Sequence, residues 1–295
     1  MVDDIKKTSH TGGLGWSISR YDKFLNCKRQ YFYDYYAKFD NDVSFEKIQF
    51  LKSLTSKALE VGNIVHDVIR DMLKRYQIST KPLNKSKFFK YSFDVTKKYC
   101  NSKTFFEHYY YKEVVSAYDV YEKIEMILKK FLDSARFEWI EKNAIYQSSK
   151  WIIEPKNFGE TWINGCKFFC KVDFLFPIGD KICIIDWKTG KPDEEKHSRQ
   201  LTGYSLWANC HFNKEAYDII PMIVYLHPQY REKNVKIEND AITEFTNTVL
   251  NETENMCRYL VDIEKNIPKV KLEFPLTNNV FFCKYCNYKE ICAKN

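Results

Sequence analysis

The pattern of apolar and polar positions predicts a mixed α/β protein, because strand-like runs alternate with segments of helical spacing. Residues 168–176 are rich in aromatic and β-branched side chains, and residues 182–188 form a nearly continuous apolar run that is typical of a buried strand. The turn residues 177–180 lie between them, so the two segments are expected to pair. Asn164-Gly165 predicts a second hairpin turn just upstream. Further strands are predicted at residues 151–154, 219–226 and 234–238.

Apolar side chains spaced three and four residues apart predict helices in the remaining segments. The first is expected to begin at Ser19, where Ser19 and Asp22 resemble a capping box, and to run on through Cys27. Another opens at Gly62, whose missing side chain would permit close approach by a neighbouring element. Longer helical patterns are found at residues 114–139, 199–208 and 240–266.

Three charged side chains interrupt the apolar strand pair: Asp173, Asp186 and Lys188. A buried strand excludes charge unless the charges pair with each other or hold a metal ion. Asp186 and Lys188 are two residues apart, so both side chains leave the same face of the strand, and the hairpin can bring Asp173 alongside. Two carboxylates beside an ammonium group suit Mg²⁺ or Mn²⁺ and the hydrolysis of a phosphodiester. The simpler alternative is a buried Asp–Lys ion pair at the end of a strand.

Four other polar side chains are candidates for the same site. Gln200 and Tyr204 are four residues apart on one predicted helix, so they share a face and could contact a phosphate or orient Lys188. Glu154 is either a further acid near the metal or a structural carboxylate bonded to a helix N-terminus. His66 lies near the edge of an apolar helix face, where a solitary histidine is more often a hydrogen-bonded core residue than a ligand.

The composition allows a sizeable core and an anionic partner. Of the 295 residues, 44% are hydrophobic and 17% aromatic, and the formal net charge is +7. Residues 81–112 carry eight lysines against two acidic residues, with phenylalanine and tyrosine interleaved. This favours either a surface for nucleic-acid phosphates and bases or a solvated helical insertion with a packed aromatic side. No signal-peptide pattern and no apolar run of roughly 20 residues is found, so a cytoplasmic protein is expected.

Cysteine spacing near the C-terminus predicts a metal or cluster site. Cys283, Cys286 and Cys292 form a C-x2-C-x5-C pattern, which supplies three soft ligands within ten residues. Ten cysteines in a chain without an export signal favour thiols or metal ligands over disulfides. A tetrahedral site needs a fourth ligand, and spacing alone selects neither that ligand nor Zn²⁺ over an iron–sulfur cluster.

The order of these motifs resembles the RecB-like branch of the PD-(D/E)XK nucleases. From residue 16 to residue 292 the chain has, in the family's order, a Cys, Gly-x3-His, an Asp, Asp-x-Lys, Gln-x3-Tyr and C-x2-C-x5-C. It is most similar to the iron–sulfur members, the AddB-type nuclease domains and the CRISPR-associated adaptation exonucleases. The resemblance implies a restriction-endonuclease-like core, with a central mixed sheet flanked by helices, a helical insertion and a C-terminal cysteine cluster.

The resemblance also implies roles for individual residues. His66, Asp173 and Asp186 would bind the catalytic Mg²⁺ or Mn²⁺, with the backbone carbonyl of Trp187 as a further ligand. Lys188 would orient the attacking water and stabilise the transition state. The residues that match the family's motif on the following helix are Gln200 and Tyr204.

For the cysteines, the resemblance implies that Cys27 joins Cys283, Cys286 and Cys292 around a [4Fe–4S] cluster, with Zn²⁺ as the lesser alternative. The cluster would be mainly structural and would tie the N-terminal helix to the C-terminus. The expected organisation is a single nuclease domain over residues 1–295, with a helical insertion at 81–150 and a C-terminal segment, 240–295, that closes onto residues 16–37.

Three positions depart from the family pattern without removing a ligand type. Val172 stands where the family's name has proline, the second acid is Asp186 rather than Glu, and Lys28 follows Cys27 in place of the more usual proline. No Gly-Lys-Ser/Thr phosphate loop is present, so the protein would act alone or borrow a motor from a helicase or CRISPR-adaptation partner.

Two functions fit this sequence. The first is a metal-dependent DNA nuclease, an exonuclease on single-stranded DNA or DNA ends with a 5′-end preference, of the kind used in DNA repair. The second is a non-catalytic module that binds DNA ends or acts as a scaffold in a helicase–nuclease or CRISPR-adaptation complex. A scaffold need not retain a charged metal site, so the nuclease is the favoured hypothesis.

Overall fold

The structure is a computed structural model that describes residues 13–154 and 159–292. Its strands are β1 (Gly15–Trp16), β2 (Ile152–Ile153), β3 (Glu160–Ile163), β4 (Cys166–Phe169), β5 (Phe174–Ile178), β6 (Lys181–Lys188), β7 (Ile219–Tyr225), β8 (Arg231–Asn234), β9 (Leu260–Asp262) and β10 (Ile267–Pro268). Its α-helices are α1 (Ile18–Asn26), α2 (Lys28–Tyr36), α3 (Phe45–Ser53), α4 (Lys57–Ile78), α5 (Lys85–Ser102), α6 (Phe106–Tyr111), α7 (Ala117–Leu132), α8 (Ala135–Lys142), α9 (Glu194–Phe212), α10 (Asn239–Cys257) and α11 (Val280–Lys284). The predicted mixed α/β class is confirmed.

The chain forms two compact units, each assembled from separate segments. The terminal unit consists of Met1–Leu54, Glu160–Cys170 and Thr243–Asn295, and the sheet unit consists of Thr55–Gly159 and Lys171–Ile242. Residues 1–12, 155–158 and 293–295, which the expected domain boundaries include, lie outside the described residues. Among the residues that are described, no helix is long and apolar enough to cross a membrane.

The sheet unit contains a five-stranded mixed sheet in the order β2-β5-β6-β7-β8. β5 and β6 form an antiparallel hairpin that turns at Gly179-Asp180, close to the predicted turn. β6 and β7 are parallel, and α9 is the helix that connects them. β6 is therefore a central strand with a hydrogen-bonded neighbour on each edge. Its side chains from Ile182 to Trp187 are buried, as the apolar run predicts.

Helices of the sheet unit cover the apolar side of this sheet. α4 contributes the face formed by Ile64, Val65 and Val68 to a core that also contains the apolar sides of α7 and the strands. The Trp187 ring on β6 packs edge-on against Phe131 of α7, with ring centroids 5.3 Å apart. Trp187 thus leaves the strand on the face opposite to Asp186 and Lys188, in agreement with strand alternation.

The helix predicted over residues 114–139 is two helices, α7 and α8. Ser134 interrupts the pattern because its Oγ accepts a hydrogen bond from the Phe137 N–H at 3.1 Å and so begins a new helix. The apolar spacing continues across the break, which is why periodicity alone did not reveal it.

The terminal unit contains the hairpin of β3 and β4, which turns at Asn164-Gly165 as predicted. Both turn residues have positive φ values, 46° and 79°, the conformation that this dipeptide tolerates in a two-residue hairpin turn. β1 adds to β4 in parallel, and β9 and β10 pair antiparallel.

The single strand predicted over residues 168–176 is wrong. β4 ends at Phe169, β5 begins at Phe174, and the two strands belong to different sheets. At Asp173 a side chain takes the place of a main-chain acceptor, because the Asp173 carboxylate accepts a hydrogen bond from the Trp187 N–H at 2.9 Å. Its carbonyl oxygen accepts the Glu154 N–H at 3.1 Å. The aromatic run is continuous in sequence, but its first part pairs with β3 and its second part pairs with β6.

The first predicted helix also requires correction. α1 begins at Ile18 with Ser17 as its N-cap, since the Ser17 Oγ accepts the Arg20 N–H at 3.2 Å, so the capping box at Ser19 is wrong. The helix ends at Asn26, and Cys27 is extended, with φ −160° and ψ 110°. Cys27 therefore lies at a break between two helices and not inside one.

Candidate active site and cysteine cluster

Four side chains on β6 and α9 form one connected network around Asp186. The Asp186 side chain is buried, with 2% of the residue exposed. Its Oδ1 accepts hydrogen bonds from the Tyr204 hydroxyl at 2.6 Å and from Gln200 Nε2 at 3.1 Å, and its Oδ2 lies 2.6 Å from Lys188 Nζ. Lys188 Nζ also donates to Gln200 Oε1 at 2.7 Å. The structure therefore brings all four predicted residues together.

Asp173 stands beside this network at the start of β5. Because Phe174 pairs with Ile185, Asp173 is adjacent to Asp186 across the hairpin. Asp173 Oδ2 accepts the Trp187 N–H and lies 3.3 Å from His66 Nδ1, which α4 presents to it. The six predicted side chains and the Trp187 backbone thus converge in the sheet unit.

The two carboxylates have pKa values that are displaced in opposite directions. Burial raises the pKa of Asp186, and the neighbouring ammonium of Lys188 does not offset it. Burial would also raise the pKa of Asp173, but the His66 imidazole outweighs it, so that this pKa is lowered. Divergent pKa values in adjacent carboxylates are typical of functional sites.

The pKa of His66 is shifted in the direction opposite to that of Asp173. Burial disfavours the imidazolium, but the Asp173 carboxylate in contact with the ring raises the pKa of His66 overall. The structure thus places the His66 ring against one of the two predicted metal-binding carboxylates.

The donor set fits a hard divalent cation, although its members are paired with one another as they stand. In residues 13–154 and 159–292, no group of three or more His, Cys, Asp or Glu side chains surrounds one metal position. His66 contacts Asp173, and Lys188 contacts Asp186, so internal cations balance both carboxylates. Two carboxylates and an imidazole supply the oxygen and nitrogen donors that suit Mg²⁺ or Mn²⁺.

A cleft of about 430 Å³ opens onto His66 and Asp173. It is lined by α4, by the end of α5, and by residues next to β2, β5 and β6. Its remaining lining residues are Ala58, Leu59, Gly62, Asn63, Asp67, Tyr99, Lys103, Glu154, Lys171 and Thr189. The side chain of Glu154 lies in this cleft, where it pairs with Lys171 at 2.8 Å.

Sequence reasoning did not single out Lys103, Lys171 or Thr189 as residues of this cleft. Thr189 follows Lys188 directly and stands against Gly62, where an added Cβ would be 3.2 Å from its Oγ1. That adjacency to Lys188 was the one available signal. Lys103 belongs to the basic segment, but nothing in its spacing separates it from the seven other lysines there.

The basic segment, residues 81–112, has its aromatic side packed. Phe88, Phe105 and Phe106 are buried, and Phe89 and Tyr99 pack against the core of the sheet unit. These contacts favour the interpretation as a helical insertion over a base-stacking surface.

The cysteines of the C-x2-C-x5-C pattern face a cavity of about 400 Å³ in the terminal unit. Cys27 lines the same cavity, beside Cys283, Cys286 and Cys292. Burial raises the pKa of Cys286 to about 12, and the three neighbouring thiols act in the same direction. A thiolate here needs a cation, and four sulfur donors around one cavity fit either an iron–sulfur cluster or Zn²⁺.

Polar and aromatic contacts attach the C-terminal segment to α2 within this unit. The Tyr288 hydroxyl donates to Asp34 Oδ1 at 2.6 Å, and the Tyr33 and Tyr288 rings are 5.1 Å apart. Arg29 Nε donates to the Phe274 carbonyl at 3.1 Å. The two ends of the described chain are therefore joined by side chains that carry no motif in the sequence.

Comparison with known proteins gives a family match over nearly the whole chain. A family model described as the PD-(D/E)XK nuclease superfamily matches residues 15–293. Among solved structures, SSO0001 has 19% identity and a TM-score of 0.32, over 63% of this chain and 78% of that chain. A candidate exonuclease from Eubacterium rectale has 15% identity and a TM-score of 0.46, over 95% and 90%. Both superpositions are loose and assign no function. No curated protein matches significantly.

The family match covers the central strand with its Asp-x-Lys, the helix with its Gln-x3-Tyr and the mixed sheet flanked by helices. Nucleases of this superfamily typically use Mg²⁺ or Mn²⁺, the cations that the donor set suits. The predicted restriction-endonuclease-like core is thereby confirmed, and the chain belongs to the PD-(D/E)XK nuclease superfamily.

Proposed function

We propose that the protein is a Mg²⁺- or Mn²⁺-dependent deoxyribonuclease, an exonuclease that acts on single-stranded DNA or DNA ends with a 5′-end preference. The observation that carries the proposal is the network of Asp186, Lys188, Gln200 and Tyr204 beside Asp173 and His66. Two carboxylates, an imidazole and an ammonium group are thereby close together, and a cleft opens onto two of them, His66 and Asp173. The 5′-end preference and the exonuclease mode rest on the resemblance to the RecB-like branch.

In this proposal His66, Asp173, Asp186 and the Trp187 carbonyl hold the cation, which supplies Lewis-acid activation of the phosphodiester. Two contacts fix the position of Trp187 for this role: its N–H donates to Asp173, and its ring packs against Phe131. His66 and Lys188 pair with the same two carboxylates, so a cation held there would compete with these contacts.

Lys188 orients the attacking water and stabilises the negative charge that develops on the phosphate. Gln200 is a positioning residue for it: its Oε1 accepts from Lys188, and its Nε2 donates to Asp186 and, at 2.5 Å, to the Tyr204 hydroxyl. One amide therefore fixes the relative placement of the ammonium and the carboxylate.

We further propose that Cys27, Cys283, Cys286 and Cys292 hold a structural [4Fe–4S] cluster. The shared cavity and the four sulfur donors support a soft-metal site. Anaerobically purified protein should be brown and contain iron and acid-labile sulfide. A colourless protein with stoichiometric zinc would assign the site to Zn²⁺ instead.

The proposed setting is a reducing, cytoplasmic one, in which thiols of this kind persist. A helicase or CRISPR-adaptation partner is proposed as the source of any unwinding, since the sequence has no phosphate loop. Co-purification from a native host would identify such a partner.

The decisive test is cleavage of end-labelled single-stranded and duplex DNA with Mg²⁺ or Mn²⁺, using anaerobically purified protein. Asp186→Ala and Lys188→Ala should abolish cleavage while the far-ultraviolet circular dichroism stays unchanged, and the label position gives the polarity. Cleavage retained by both variants would refute the site. Tight DNA binding without cleavage of any substrate would favour the scaffold.

A further inference from the structure

We propose that Lys103 and Lys171 bind backbone phosphates of the DNA strand in the cleft, and that the carboxylates of Glu60 and Glu154 hold them in position. The inference rests on the proposed nuclease function and names the residues that hold its substrate. Both lysines line the cleft that opens onto His66 and Asp173. Neither is part of the network around Asp186.

Lys171 is held at the cleft by Glu154. Its Nζ lies 2.8 Å from Glu154 Oε2, and the same oxygen is 3.7 Å from a nitrogen of the Arg70 guanidinium. The Glu154 N–H donates to the carbonyl of Asp173. Glu154 is thus fixed to the backbone of a proposed metal ligand and presents Lys171 directly beside it.

Lys103 is held by Glu60 on the first turns of α4. Its Nζ lies 3.5 Å from Glu60 Oε1, which also accepts from Thr55 Oγ1 at 2.5 Å and from Asn63 Nδ2 at 3.2 Å. Only 1% of Glu60 is exposed, and its Oε2 accepts no hydrogen bond from the described residues.

The backbone next to Lys103 is anchored as well. The Thr55 N–H donates to the Thr104 carbonyl at 3.1 Å, and the Phe106 N–H donates to the Thr55 carbonyl at 2.6 Å. The end of α5 is therefore tied to the residues that precede α4, and Lys103 has a defined place at the mouth of the cleft.

Folding stability alone does not explain these ion pairs. A buried carboxylate loses its hydration, and an ion pair with a solvent-exposed lysine offsets only a small part of that unfavourable free energy. A lysine ammonium has three donors, so each retains hydrogen-bonding capacity for a phosphate oxygen. The small residues Ala58 and Gly62 line the same cleft. Two held cations beside a metal-binding centre suit the phosphates that neighbour the scissile one.

The chain offers a matched control in Lys97. Its side chain has the same exposure as that of Lys171, 48%, and its Nζ lies 2.9 Å from Asp94 Oδ1. Lys97 belongs to the basic segment but does not line the cleft. Substituting Lys97 removes one charge and one ion pair, as each cleft substitution does, but its partner Asp94 is exposed.

The experiment measures binding of a fluorescent single-stranded oligonucleotide across a salt series, in an Asp186→Ala background with Ca²⁺. The slope of log K against log salt should fall by about 0.7 for each phosphate contact removed, hence by about 1.4 in Lys103→Gln/Lys171→Gln. Lys97→Gln should keep the parental slope, and the Lys→Arg double variant should restore it.

A second measurement tests the role of the carboxylates. In the catalytically intact protein, Glu60→Gln and Glu154→Gln should raise KM for DNA with little change in kcat, since they displace binding residues and not reacting groups. A slope in the double Gln variant equal to the parental one, or an equal fall in Lys97→Gln, would overturn the inference. Absence of metal-dependent cleavage by the wild type would refute the proposed nuclease and leave the salt slopes as a separate result.

Discussion

Removing the hydroxyl of Tyr204 is the sharpest test of how α9 serves the site. Tyr204 is buried, and its hydroxyl lies 2.6 Å from Asp186 Oδ1 and 2.5 Å from Gln200 Nε2. Tyr204→Phe keeps the ring and deletes these two contacts. Asp186 then retains Gln200 and Lys188 as partners but loses the shorter of the two hydrogen bonds to its Oδ1.

The size of the effect follows from the type of bond lost. A hydrogen bond to an ionised group contributes about 1.5–3 kcal/mol, and loss of a partner behind a metal ligand typically costs about 10–100-fold in metal affinity or activity. The Tyr204 bond lowers a pKa that burial has raised, so the Asp186 pKa rises further in the variant. More Mn²⁺ should be needed for half-maximal cleavage, and higher pH should restore part of the rate.

Tyr76→Phe is the matched control. Tyr76 is 1% exposed, lies in the same unit, and donates its hydroxyl to the carboxylate of Glu141, away from the network. Both variants should lose similar stability in urea titrations, about 1.5–3 kcal/mol, since each loses a hydrogen bond to a carboxylate. Cleavage rates over a Mn²⁺ series should fall in Tyr204→Phe alone. An unchanged metal requirement in Tyr204→Phe, or an equal change in Tyr76→Phe, would refute the assignment of this hydroxyl to the site.

Three further predictions address other parts of the chain. Gly62→Ala should be at least as stable as the wild type, because alanine favours a helix by about 1 kcal/mol, yet cleave more slowly since its Cβ would crowd Thr189 next to Lys188; full activity would contradict this. Burial lowers the pKa of His197 to about 4, so its contribution to stability is present above pH ~6.5 and is lost as pH falls towards 4. His197→Asn should remove about 3 kcal/mol of this acid sensitivity, and urea titrations at several pH values would show whether it does. Cys27→Ser and Cys286→Ser should each lower bound metal and Tm together; an unchanged Tm in both would argue against a cluster.

The network around Asp186 could be predicted because its members are related by local geometry. Asp186 and Lys188 share a strand face, and Gln200 and Tyr204 share a helix face, so two short-range periods bring four side chains together. A tight hairpin adds Asp173 through a register that the turn residues fix. Each of these spacings spans few residues, so the predicted contacts stay correct even when the predicted end of a strand or helix is wrong by one position.

Relations between distant segments could not be predicted in this way. Lys103 reaches the cleft because the backbone at Thr55 pairs with residues 104–106, and nothing in either segment's periodicity indicates that pairing. The division of the 168–176 run depends on the Asp173 carboxylate, which bonds to a main-chain N–H on another strand. The apolar pattern predicts which residues are buried, and it does not predict which distant polar groups form hydrogen bonds with each other.

The position of Cys27 shows how local chemistry and a distant partner combine. Five helices begin at a serine whose Oγ accepts a main-chain N–H: those capped by Ser17, Ser44, Ser56, Ser116 and Ser134. At the start of α2 the acceptor is instead the Cys27 sulfur, 3.4 Å from the Gln30 N–H. Sulfur is a weaker acceptor than a hydroxyl, so capping alone does not account for cysteine there. Cys27 lines the same cavity as Cys283, Cys286 and Cys292. The break between α1 and α2 therefore places Cys27 at this cavity, as the proposed cluster would require.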